Sequence, residues 1–252
     1  MADTIGFEQQ GAIGILTLNN PDKHYSLGKQ ELDGIQAVLR SVQSDNAVRA
    51  LIVTGRGDKT FCAGASLAEL DAGDISGDDF QATTDMLAAL PIPTVCAFNG
   101  NVYGGGSELS LSCDFRIGFD GMKLRVPAAT IGLCYPISGI QRFVERLGVG
   151  PAKRLLLAAE FVDSRQLYEM GFLDQLVNRE AIGQASMDYA ATLAERAPMA
   201  VAAMKKIINH VAAGTLDMDD AQALSKECSD SQDLQEGFAA QREKRAPVFK
   251  GL

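Results

Sequence analysis

Two stretches of this chain have the composition to do chemistry with the backbone itself. GRGDKTFCAGAS (55–66) and GNVYGGGSELS (100–110) are glycine-rich loops about forty residues apart, each close behind a short apolar strand-like run. Loops at strand ends are where α/β sheets place ligands. Glycine there lets backbone N–H groups come close to a ligand oxygen. Two converging N–H groups stabilise negative charge developing on a carbonyl oxygen, as an oxyanion hole does. Glu108 follows the second loop and is the nearby acid/base group. Its position alone leaves two readings open, a first-turn helix carboxylate favoured by the helix dipole or a catalytic one.

Other chemistries find little support. Gly104-Gly105-Gly106 is not a dinucleotide fingerprint, because Leu109 stands where the third glycine is needed. There is no G-K-[ST] for a phosphate-cradling loop, and Ser107 lacks the glycine two residues on that a nucleophile elbow requires. The two histidines, His24 and His210, are not placed near a serine or cysteine by the sequence, which disfavours a triad. No histidine or carboxylate spacing calls for a metal.

The elements that must position these loops read as an α/β core with a helical tail. Residues 3–8 and 12–18 form an expected hairpin around Gly11. Leu32, Ile35, Leu39 and Val42 recur at helical spacing within 28–42, and ALIVTG (50–55) reads as a buried strand. Strand, helix, strand implies a parallel crossover. DAGDISGDD (71–79) reads as a polar, irregular stretch before a short helix ending at Leu90. Strands are expected over 91–100, 115–119 and 123–126, then mainly helix beyond 136, with a short strand at DQLV (174–177).

Composition bounds the classes. The chain has 252 residues, 46% hydrophobic and 22% charged, with a formal net charge of −9. That acidity argues against a nucleic-acid or anionic-membrane surface, so an anionic small ligand needs local dipoles and a few placed Lys or Arg. Five scattered cysteines without a C-x-x-C pair indicate neither a disulfide framework nor a zinc site. With no signal-like N-terminus and no membrane-length apolar run, a cytoplasmic location is expected.

In order along the chain, FCAGASL (61–67), GNVYGGGSELSLSCDFRIG (100–118), AATIGLCYPISGIQRFVERLG (128–148), LLLAAEFVDSRQLYEMGFLDQLV (155–177) and SQDLQEGFAAQREKRAPVFKG (231–251) resemble successive segments of the crotonase (enoyl-CoA hydratase/isomerase) superfamily. The resemblance implies an α/β fold, a spiral of ββα turns over 1–195 carrying the acyl-CoA site. A helical C-terminal region, 196–252, would serve trimerisation and cover CoA. It also implies that the N–H groups of Ala65 and Gly105 form the oxyanion hole and that Glu108 is a catalytic acid/base. Lys23, Ala63, Ser66, Leu67 and Lys244 would contact coenzyme A, which is part of the substrate rather than a separate cofactor. Lys23 and Lys244 also fit plain solvated lysines. Arg142 and Arg146 are expected to serve packing or subunit contacts. The implied partner is an acyl-CoA thioester, and the implied assembly is a homotrimer or a dimer of trimers.

The chain departs from the family's hydratase pattern at two places. Ala128 stands where hydratases carry a second glutamate, and Tyr135 stands where they tend to have a small residue. Hydration of an enoyl-CoA with Glu108 as sole acid/base is the first expectation. Methylmalonyl-CoA-type decarboxylation is the alternative: its relatives resemble this chain at Tyr135, which either orients a carboxylate or packs beneath the site. Those relatives also tend to carry a histidine in the first loop, where this chain has Ala65 and Ser66. A third possibility is a catalytically weak acyl-CoA-binding member. Acyl-chain identity and the choice of trimer or hexamer are not encoded legibly in the sequence.

Overall fold

The structure is a computed structural model describing residues 4–252. The first position of the expected first strand, Asp3, therefore lies outside the described residues. β1 (Ile5–Gln10) and β2 (Ile13–Leu18) pair antiparallel around Gly11, whose φ of 61° suits a turn glycine. β3 (Ser26–Leu27) leads into α1 (Lys29–Ser44), and β4 (Ala50–Gly55) returns parallel to β2, giving the crossover. The apolar stripe of α1, Leu32, Ile35, Leu39 and Val42, is buried. Each such side chain contributes on the order of 2 kcal/mol to holding the helix on the sheet.

The chain then repeats one move. β4 lies in the main sheet, and the next strand, β5 (Thr60–Cys62), leaves it for a second sheet. After β6 (Gly64–Ala65) come α2 (Leu67–Ala72) and α3 (Gly77–Ala88). β7 (Thr94–Ala97) rejoins the main sheet, β8 (Asn101–Tyr103) enters the second, and α4 (Gly105–Leu111) follows. β9 (Phe115–Phe119), β10 (Lys123–Arg125) and α5 (Ile137–Leu147) make the same turn again. After α6 (Val149–Leu156) come β11 (Val162–Asp163), α7 (Ser164–Glu169) and β12 (Gln175–Val177). The main sheet runs β1-β2-β4-β7-β9-β12, and the second runs β11-β10-β8-β5. This is the ββα spiral. Its central strands are apolar on both faces, as buried parallel strands are.

The tail is α8 (Ile182–Ala194), α9 (Pro198–Ala212), α10 (Met218–Ser229) and α11 (Gln232–Glu243). α8 packs on β4, β7 and β9. α9 is tied to the core by Lys205, whose Nζ lies 2.7 Å from Asp114 between α4 and β9. None of the described helices is long and apolar enough to cross a membrane.

One expectation is corrected. The stretch 71–79 is irregular only over 73–76: α2 ends at Ala72 and α3 begins at Gly77. Asp71, Asp74, Asp78 and Asp79 are exposed, and of them Asp79 acts as a cap. Ser76 and Asp79 form a capping box, with the Ser76 N–H donating to Asp79 at 2.8 Å. Ile75 and Phe80 are buried on either side of it.

Candidate active site

The register of the second sheet explains why distant loops meet. β5 and β8 lie side by side and parallel, with Cys62 opposite Val102. Three residues beyond each partner stand Ala65 and Gly105, so both loops leave the sheet at one end. β10 is the next parallel neighbour, with Arg125 opposite Tyr103. Three residues beyond Arg125 is Ala128, the position of the missing carboxylate, at the same end.

Glycine makes the approach of the loops possible. A Cβ on Gly64 would lie 2.4 Å from the Gly105 nitrogen. One on Gly105 would lie 3.3 Å from the Ala65 nitrogen and 2.7 Å from the ring of Phe80. No side chain fits between these segments. The Ser66 N–H donates to the Leu27 carbonyl at 2.9 Å. Successive N–H groups of a strand point to opposite sides, so the Ala65 N–H faces away from β3. The Gly105 N–H is in the first turn of α4, where helix geometry supplies no acceptor. The two N–H groups thus lie together at one corner, beneath Phe80 of α3.

Glu108 is one turn along α4 and only 1% exposed. Thr84 of α3 donates to its Oε1 at 3.4 Å, and the phenol of Tyr135 faces it as a hydrogen-bond partner. Burial pushes the Glu108 carboxyl above the ordinary glutamate value, while Tyr135, the Arg142 charge and Thr84 pull it back. Tyr135 is raised well above the ordinary phenol, by burial first and then by the negative charge of Glu108. Its phenol therefore stays protonated at neutral pH and donates. Gly139 of α5 closes the site from the other side. A Cβ there would meet the Tyr135 ring at 2.4 Å and Glu108 Oε2 at 2.7 Å.

The candidate coenzyme A residues fall into two places. Ser66 caps α2, accepting from the Glu69 N–H at 3.4 Å, and Leu67 behind it is 60% exposed. Glu69 also accepts from the Lys29 N–H at 2.8 Å and lies 3.9 Å from the Lys23 ammonium. Lys23 is thereby held beside the loop containing Ala63, Ser66 and Leu67. Lys244 is elsewhere: it ends α11 with φ 54°, its side chain exposed, and among the described residues no hydrogen bond or ion pair joins it to that loop.

Sequence reasoning missed three neighbours of Glu108. Thr84 is one polar residue among several on α3 and carries no motif. Gly139 reads as an ordinary helix glycine until its packing is seen. Arg142, expected to serve packing or subunit contacts, bears electrostatically on Glu108 and pairs with Asp85 of α3.

The profile of the Enoyl-CoA hydratase/isomerase family matches residues 8–252. This chain belongs to the enoyl-CoA hydratase/isomerase family. It is thus an enzyme of a family whose substrates are acyl-CoA thioesters. The crotonyl-CoA hydratase of Syntrophomonas wolfei is 30% identical over 256 residues, covering 98% of each chain. The short-chain-enoyl-CoA hydratase of Clostridium acetobutylicum is 29% identical over 94% of each. Among solved structures, the enoyl-CoA hydratase from Bacillus anthracis superposes with a TM-score of 0.90 at 29% identity, covering 99% of this chain and all of the other.

Proposed function

We propose that this family member hydrates an enoyl-CoA, and runs the reverse dehydration, with Glu108 as its single acid/base carboxylate. The observation that carries the reading is a buried carboxyl of raised pKa one helical turn from the paired Ala65 and Gly105 N–H groups. In this reading the thioester carbonyl oxygen sits between those N–H groups. Glu108 takes a proton from water as its oxygen bonds the β-carbon. The π electrons move onto the carbonyl oxygen as an enolate, and the same proton returns from Glu108 to the α-carbon. The raised pKa suits a group that must both take and return a proton near neutrality. Lys23, Ala63, Ser66 and Leu67 would hold the adenine and phosphates, Lys244 adding a charge from the tail. Coenzyme A enters only as part of the substrate.

The test is loss of the conjugated thioester absorbance of crotonyl-CoA. Glu108→Gln is expected to lower the rate by about 10²–10⁴-fold. An unchanged rate would remove Glu108 from the chemistry.

A second reading is favoured by Ala128 and by the neutral phenol of Tyr135 beside Glu108. In a decarboxylation, the C–C bond to the carboxylate breaks, CO2 leaves, and the electron pair passes to the enolate held by the same N–H groups. Tyr135 then supplies the proton to the α-carbon. Turnover of methylmalonyl-CoA that is lost in Tyr135→Phe supports this reading, and unchanged turnover excludes the tyrosine's role. Tight acyl-CoA binding without turnover of either substrate would mark a binding member of the family. Assembly into trimers or pairs of trimers is proposed with either chemistry, through the exposed stripe Met204, Ile208 and Val211 of α9.

A further inference from the structure

A sizeable cavity lies apart from Ala65 and Gly105. It measures about 610 Å³ and lies between α3, α5, α9 and α10, a size typical of small-molecule sites, about 300–1,000 Å³. Much of its wall is apolar, including Leu90, Met199, Ala203 and Leu224. Its charges are largely accounted for within the protein. Arg142 pairs with Asp85, and Lys205 pairs with Asp114 at 2.7 Å while also donating to the Ile92 carbonyl.

Lys206 is exposed and unpaired among the described residues, and Arg146 is the more buried case: it lines the cavity, is partly buried, and has no hydrogen bond or ion pair among the described residues. Burial and then the charge of Arg116 hold it below the ordinary arginine value, against the opposing charge of Asp114 and with a further lowering from Arg142. One turn back on α5, the Nε of Arg142 is buried without an acceptor. A buried donor left unmet is costly unless an acceptor arrives. A guanidinium fork matches a carboxylate well. Asp85, Glu145 and Glu227 share the wall and would repel a polyanion such as the coenzyme A phosphates, so the charge that fits is a single one.

We infer that this cavity binds a monocarboxylate carried on an apolar tail, of the free fatty acid class, with Arg146 as the anchor of its carboxylate. The tail lies along the apolar wall, away from the Glu108 chamber. This face of α9 is distinct from its outer stripe of Met204, Ile208 and Val211.

The experiment is titration calorimetry of the full chain with decanoate, with decanol as the uncharged control. Decanoate is expected to bind saturably and decanol about tenfold more weakly or worse, the range expected for a lost hydrogen bond to a charged group. Arg146→Met should weaken decanoate by a similar factor, and Arg146→Lys should retain part of the affinity. Ala212→Phe, at an exposed position of the wall, should block the tail while leaving Arg146 in place. Equal affinity for decanol, unchanged binding in Arg146→Met and Ala212→Phe, or absence of binding overturns the inference. So does displacement of decanoate by saturating acetyl-CoA, which would put it in the thioester site. Light scattering of Arg146→Met without ligand closes the remaining route: a fall in oligomeric state would make Arg146 a subunit contact and overturn the anchor role.

Discussion

At the residue scale, the balance around Glu108 sets its proton affinity. Burial raises it, and the Tyr135 phenol is the first of the groups that lower it. Tyr135→Phe removes that stabilisation of the carboxylate, so the Glu108 value moves further up. If ionised Glu108 is the working form, the acidic limb of the kcat/KM profile for crotonyl-CoA shifts to higher pH in Tyr135→Phe. A limb that stays in place would uncouple the two residues. The same shift has a stability consequence with a definite sign. A carboxyl raised in the folded state favours folding while protonated, and that contribution is lost as pH rises through the folded value. Glu108→Gln therefore gains melting temperature relative to the parent as pH rises through that window, and shows no such gain on the acid side. Ala128 offers the opposite change. It is buried at the third strand exit, so Ala128→Glu is expected to raise hydration if the rest of the site accepts a second carboxylate. No gain in crotonyl-CoA turnover would mean that the pocket has been reshaped for another reaction.

At the element scale, the proposed chemistry depends on how closely two strand exits approach. Gly64 has φ 88°, and a Cβ on it would strike the Gly105 nitrogen. Gly64→Ala must push β6 away from α4 and separate the two N–H groups. Loss of one donor in an oxyanion hole costs on the order of 10²–10³ in rate. Gly64→Ala should lower kcat by about that factor, and because Gly64 lies between the proposed coenzyme A contacts Ala63 and Ser66, KM is expected to rise with it. A change confined to KM, with kcat intact, would contradict the assignment. The roof of this corner is α3, which supplies Phe80 over Gly105 and Thr84 to Glu108. Its start is fixed by the Ser76–Asp79 capping box, so one acid of the polar stretch 71–79 helps position α3 over the candidate site.

At the scale of the whole molecule, the tail is coupled to the spiral through few buried polar links. Asp114 accepts from the Thr94 N–H at 2.8 Å, from the Thr94 hydroxyl at 2.9 Å and from Lys205 at 2.7 Å. It joins β7, the start of β9 and α9 at one point. The Lys205 and Asp114 side chains are 9% and 14% exposed, so the pair is poorly screened. Lys205→Met leaves a buried carboxylate short of its cation, which costs on the order of 3 kcal/mol. A calorimetric or denaturant midpoint should fall accordingly. An unchanged midpoint would show that α9 is held by apolar packing alone.

What the sequence determined by itself was local and periodic. The apolar stripe of α1, the both-faces-apolar run of β4 and the turn at Gly11 are fixed by near neighbours, and each forms where its pattern places it. The ordered run of family-like segments likewise indicated the spiral and the acyl-CoA class. The capping of 71–79 was misread because a capping box and an irregular acidic stretch share a composition and differ only in backbone geometry. Tertiary structure alone decided which groups surround Glu108. Thr84 comes from α3, and Tyr135, Gly139 and Arg142 from the segment that runs into α5; no spacing rule links either to Glu108 on α4. It also decided that Ala65, Gly105 and Ala128 leave the second sheet at one end, because parallel strand pairing is non-local and its register belongs to the sheet rather than to any one strand.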